Sequence, residues 1–160
     1  MNGRLSRLAL ATLFSLTLVS LILVSLTLAP DASAETAAET ARKWGLIGPW
    51  ALDCSLPPDR NKGTLLAYEI TSNGKLVHRR NFGDTSDESP VLSAEVSDNG
   101  MLNLRVSFPS LKQTREYGLM KQPDGTLRAI YNRNQKEEYT IRDGKFTDNG
   151  NPTPLQHKCK

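Results

Sequence analysis

The chain has 160 residues, 20 Lys or Arg against 17 Asp or Glu, a net charge of +3 and only two histidines. The charges are interspersed, so no basic block argues for nucleic acid. Neither His78 nor His157 stands at metal-ligand spacing, and there is no H-E-x-x-H, no G-x-S-x-G elbow and no phosphate-cradling glycine loop.

The first segment reads as an export signal. Arg4 and Arg7 precede an uncharged run from Leu8 to Ala29, Pro30 breaks it, and Ala32-Ser33-Ala34 comes next. A basic start, an apolar core and a small-residue step predict cleavage after Ala34. The run is longer than the roughly 7–15 residues of a usual signal core and falls within the about 17–25 that span a bilayer. Residues 1–34 are therefore a signal peptide or, if uncut, an anchor, with Arg4 and Arg7 on the cytoplasmic side. In both cases the remainder is exported, to the periplasm or beyond, and touches a membrane only if the segment is retained. The exported part has the length of one domain. Residues 35–47 open it as a flexible arm, alanine-rich and charged up to Lys43, with at most a loose helical turn.

From residue 48 to residue 160 apolar-patterned runs alternate with turn signals. Asn73-Gly74, Asn99-Gly100, Asp124-Gly125 and Asp143-Gly144 mark hairpins, because Asn or Asp before Gly accepts positive φ cheaply. The polar stretch 83–90, the proline of 108–112 and the apolar-free stretch 132–137 supply further breaks. Strands are predicted at 49–55, 64–71, 75–82, 91–97, 101–108, 112–121, 126–132, 138–142 and 145–147. Eight or nine strands in sequential hairpins predict an all-β, antiparallel up-and-down meander closed into a small barrel. Alternation marks the inner face: Leu66, Tyr68 and Ile70; Leu92, Ala94 and Val96; Leu102, Leu104, Val106 and Phe108; Tyr117 and Leu119; Leu127, Ala129 and Tyr131; Tyr139 and Ile141.

An oxidising compartment lets thiols pair. Cys54 and Cys159 are the only cysteines and admit one intramolecular bond, tying the first strand to the tail. In a reducing cell they would be free thiols.

Gly48-Pro49-Trp50 on the first strand resembles the Gly-x-Trp opening of lipocalins and other calycins. That resemblance implies a barrel whose tryptophan closes one end. "WALDC" (50–54) is similar to small exported barrels that inhibit serralysin-type metalloproteases, although their disulfide is local and this one would span the domain. The whole chain resembles the small exported proteins of Gram-negative bacteria.

One strand departs from its pattern. In "KLVHRRNF" (75–82), His78 and Arg80 share parity with Leu76 and Phe82. If that face is inward, Arg80 needs a carboxylate, water or an anionic ligand, since a buried unpaired charge is costly; otherwise a twist or bulge carries it to the rim. Arg115 shares parity with Tyr117 and Leu119 and is a second inward cation. Trp50, Tyr68, Tyr117 and Tyr131 either line a cavity with His78, Arg80 and Arg115 or are simply core. "DTSDE" (84–88) gathers three carboxylates in a solvated loop or, lacking EF-hand spacing, a weak calcium cradle.

Two functions are compatible with this pattern. The first is a non-enzymatic binding protein, without cofactor, holding a small apolar or anionic (amphiphilic) ligand inside the barrel. The second is an interaction protein with an envelope partner, a protease or lysozyme inhibitor among them, acting through loops 56–63 and 83–90 or the arm 35–43. N-terminal sequencing of the exported protein is expected to begin at Glu35. A full-length species confined to the membrane fraction would instead identify an anchor.

Overall fold

The computed structural model of the chain describes residues 35–160; the predicted signal segment lies outside them. One helix precedes ten antiparallel strands: α1 (Ala37–Trp44), β1 (Gly48–Ala51), β2 (Leu65–Ile70), β3 (Leu76–Asn81), β4 (Ser86–Val96), β5 (Leu102–Phe108), β6 (Gln113–Lys121), β7 (Leu127–Asn134), β8 (Tyr139–Arg142), β9 (Lys145–Phe146) and β10 (His157–Lys158). The strand order is β10-β1-β2-β3-β4-β5-β6-β7-β8-β9. Nine strands therefore form the predicted meander, and the four Asn-Gly and Asp-Gly pairs all fall at turns between sequence neighbours.

The sheet curls into a half-barrel. The sheet stops short of the predicted closed barrel, and the tail adds a tenth strand beside β1. His157 and Lys158 pair with Ala51 and Trp50. One residue earlier, Gln156 exchanges both backbone hydrogen bonds with Leu127 at the start of β7, at 2.8 and 2.9 Å. The tail thus contacts β1 on one side and β7 on the other. Cys159 N–H adds a bond to the Pro49 carbonyl at 2.9 Å. The disulfide Cys54–Cys159 is formed, with the two Cα atoms 5.4 Å apart.

The inner face carries the core. Trp50, Tyr68, Leu102, Leu104, Val106, Phe108 and Leu119 are all buried, as alternation predicts for a sheet with one packed face. Residues 37–44, predicted as part of a flexible arm, instead form α1, because the sequence carries helix signals at both ends. Thr36 accepts from Glu39 N–H while Glu39 accepts from Thr36 N–H, a capping box, and Gly45 takes the left-handed C-cap at φ +83°. Ala38 and Ala41, small enough for close approach, bury against the core, and Leu46 joins them there. The Trp44 indole donates to the Gly100 carbonyl at 3.0 Å, pinning the helix to the β4–β5 turn.

Two β-bulges overturn predicted parities. The β4–β5 register shifts between Val91 and Ser93. Leu92 is the extra residue; it turns outward at 52% exposure, and Val91 takes the inner position with Ala94. Val96, at the strand end, is also exposed. The β6–β7 register shifts between Gly118 and Leu119, which pair with Tyr131 and Ala129 and leave Ile130 unpaired. Tyr131 is thereby moved to the outer face, a correction to its predicted inward position.

The stretch 83–90, predicted as a loop, is strand from Ser86 onward, pairing with β3 from Asn81↔Ser86 to Val77↔Pro90. The register explains why polar composition did not prevent this: Asp87 lies opposite Arg80, and Glu88 opposite Arg79.

Replacing both cysteines by serine is expected to lower the unfolding free energy by about 2–5 kcal/mol, read from urea midpoints, with the β-rich circular dichroism spectrum retained. Two alkylatable thiols in the oxidised protein would contradict the bond itself.

Candidate functional site

Five of the predicted site residues converge on the inner face. Tyr68 and His78 are cross-strand partners. Their rings stack 4.7 Å apart at 10°. The imidazole meets Phe108 and Tyr117 edge-on at 6.3 and 6.2 Å. Tyr117 reaches it from β6, two strands beyond β4, because the curl folds the sheet onto itself. His78 is 3% exposed. Neither ring nitrogen has a hydrogen-bond partner in the protein. Burial, then the nearby Arg80 charge, push its pKa down to about 4, while Asp87 opposes the shift.

Arg80 stands two residues along the same face. Its Nε donates to Asp87 Oδ1 at 2.9 Å, and its Nη2 contacts Asp87 Oδ2. Its guanidinium also lies 4.7 Å from the Phe108 ring centroid. The inward cation therefore finds its counter-charge within the chain: a two-toothed carboxylate from the neighbouring strand, the strong form of such a pair. The hydrogen bonds to Asp87 hold the guanidinium still more firmly protonated.

Arg115 is held differently. Its Nε donates to Asn132 Oδ1, its Nη1 to Gln113 Oε1 at 3.2 Å and its Nη2 to Thr140 Oγ1 at 3.0 Å. All three acceptors are neutral. Among the described residues no carboxylate forms an ion pair with Arg115, so this cation is oriented without being neutralised. Tyr117 feels the charge of both arginines; burial nevertheless pushes its phenol pKa up.

The other two predicted site residues do not join this cluster. Trp50 is buried and donates its indole N–H to the Leu46 carbonyl at 2.7 Å, where the chain leaves α1. Tyr131 covers the outer face: its hydroxyl donates to Asn103 Oδ1 at 2.9 Å, and its ring lies over Gly118, where a Cβ would come within 2.2 Å of the ring. A glycine opposite an aromatic was the sequence signal for this placement. Asn132 was not singled out beforehand, and Asp87 only as one of the three carboxylates of 84–88. Asp87 lies opposite Arg80, and Asn132 opposite Tyr117, two residues from Arg115 on the same face; only the register reveals either placement.

The three carboxylates of 84–88 form no common cradle. Asp84 pairs with Arg60, Asp87 with Arg80 and Glu88 with Arg79. Alternation sends Asp87 inward and Glu88 outward. Among the described residues no cluster of three or more His, Cys, Asp or Glu is placed to hold a metal ion.

A separate concavity lies on the outer face. The chain between Ala51 and Leu65 folds back over β1 and β2, leaving a groove of about 310 Å³ beside the disulfide. Compared with family models, curated proteins and solved structures, the chain matches none.

His78 makes the fold acid-sensitive. Its folded pKa of about 4 lies below the ordinary 6.5, so between these values the unfolded state binds the proton and the folded state does not. Stability is expected to fall as pH drops through that window, by up to about 3 kcal/mol at the lower end. His78→Phe, which keeps the stack on Tyr68, should flatten this part of the profile in chemical denaturation between pH 7 and 4. An unchanged slope would show that the imidazole is not the group responsible.

Proposed function

We propose that the protein is an exported, non-enzymatic binding protein that takes a small anionic ligand at the mouth of its curled sheet. The formed disulfide suits an oxidising compartment, and with the N-terminal signal pattern it supports a periplasmic or secreted location. No helix among the described residues is long and apolar enough to cross a membrane.

The observation that carries the reading is His78, a buried imidazole with both nitrogens unpartnered. Buried polar groups in native proteins are nearly always satisfied, and an exception calls for a missing water or ligand. Aromatic faces surround it, and one of them, Tyr117, feels the charge of Arg115, which meets only neutral acceptors. A compact anion would place its charge on Arg115 and its apolar or ring portion against Tyr117. Arg80 would contribute little charge, since Asp87 already opposes it. Sites of this type are mainly apolar with a few convergent polar groups.

The rival reading, an interaction protein working on an envelope partner, has one observation in its favour. Arg60 donates to Asp84 and Thr85 at 3.2 and 2.8 Å and covers the Phe82 ring at 4.8 Å, joining the two predicted loops into one surface. The arm contributes less to that reading, since α1 is packed against the core.

Native mass spectrometry of the protein purified from the exported fraction should reveal a co-purifying small anion. Arg115→Ala should reduce its affinity about tenfold to a hundredfold, the loss of one charge-assisted hydrogen bond. Asp87→Asn should raise it by releasing Arg80. No bound species, and no displacement by any of a panel of small organic anions, would shift the assignment to the interaction reading.

A further inference from the structure

We infer that the ligand of the inner mouth is a hydroxylated organic acid, with its carboxylate on Arg115 and its hydroxyl, at the far end of the molecule, on His78. This deepens the proposed anion site and rests on it.

The imidazole sets the first requirement. Burial holds its pKa down at about 4, so the ring is neutral at pH 7. A neutral imidazole presents one N–H donor and one lone-pair acceptor. Here both nitrogens are buried and neither has a partner in the protein. A carboxylate only accepts, so it can answer the N–H and nothing else. The second nitrogen calls for a donor. An ammonium donates, but Arg80 and Arg115 repel it, and Asp87 is already engaged by Arg80. A hydroxyl is uncharged and both donates and accepts, so it serves whichever nitrogen it reaches. Tyr68 covers one face of the imidazole at 4.7 Å, and the hydroxyl must therefore arrive edge-on, in the ring plane.

The arginine sets the second requirement. Tyr117 feels Arg80, Arg115 and Asp87, two positive charges and one negative. The excess belongs to Arg115. Its bonds to Asn132, Gln113 and Thr140 engage one N–H on each guanidinium nitrogen, which leaves two of the five free for a carboxylate.

The two requirements stand apart in space. Arg80 and Asp87 are the charges that act on the imidazole, and Arg115 is not among them. Arg115 lies two residues from Tyr117 on the same face of β6, about 6–7 Å along the strand. The Tyr117 ring is the part of that strand that meets the imidazole, at 6.2 Å between centroids. Acid and hydroxyl therefore occupy opposite ends of the ligand, joined by an apolar body that lies against the half-buried Tyr117.

Benzoate and its ortho, meta and para hydroxy derivatives, titrated calorimetrically into the oxidised exported protein at pH 7, test this. The meta or para isomer should bind about tenfold or more tighter than benzoate, the gain of one buried hydrogen bond. The ortho isomer, whose hydroxyl adjoins the carboxylate, should bind like benzoate. His78→Phe, which keeps the stack on Tyr68, should erase the preference, so that benzoate and the favoured isomer bind equally. Arg115→Ala should weaken both by a similar factor. The imidazole nitrogen NMR signals of the wild type should shift with the favoured isomer and not with benzoate. An unchanged circular dichroism spectrum will confirm that each variant folds. Benzoate binding with no gain from any hydroxyl, or a preference that survives in His78→Phe, would overturn the hydroxyl assignment and leave the anion site standing, with a buried water as the partner of His78. Binding of none of the four acids would overturn both.

Discussion

The tail is the constraint on which the rest of the structure depends. A curled antiparallel sheet that stops short of closure leaves unpaired backbone groups along its edges, where other chains can add. Here residues 156–159 supply bonds to β1 and to β7 at once. Two short contacts of this kind are weak by themselves. The Cys54–Cys159 bond holds the tail in register across a sequence separation of 105 residues, and in doing so it removes much of the freedom of the unfolded chain.

Most of the meander was legible because two simple signals agreed. Asn-Gly and Asp-Gly pairs located the turns, and period-two alternation located the packed face. The failures have physical causes at particular residues. Leu92 and Ile130 are bulge residues, and a bulge inverts the parity of everything beyond it. Tyr131 was misplaced for that reason alone. Ser86–Pro90 is composed like a loop, but its acids face arginines on β3, and such pairing is invisible until the register is known. Residues 36–45 carried a capping box, helix-forming alanines and a C-terminal glycine, so α1 was readable in the sequence.

The inner site joins costs that the fold could have avoided. A phenylalanine at position 78 would stack on Tyr68 without burying two polar nitrogens, and an apolar pair could replace Arg80 and Asp87 with little loss of stability, since buried ion pairs are seldom better than well-packed hydrophobes. The core around them is otherwise ordinary: Leu104, Val106, Phe108 and Leu119 are all buried. The expense is concentrated at one end of one face. Departures from local consistency tend to gather where proteins bind or react.

β4 changes partners partway along its length. Ser86 to Pro90 pair only with β3, and Val91 to Val96 only with β5. Proline, which has no N–H to donate, stands at the changeover, and the bulge at Leu92 comes directly after it. The molecule is therefore two plates joined by one continuous strand, with the tail as a strap across the opposite side. Tyr68, His78, Arg80 and Asp87 ride on the first plate; Phe108, Arg115, Tyr117 and Asn132 ride on the second. The two halves of the site meet across this one strand, at the changeover of Pro90 and the bulge of Leu92. The tail ties the same two plates a second time, through Trp50 and Ala51 on one and Leu127 on the other, so the plates are joined on both sides of the site.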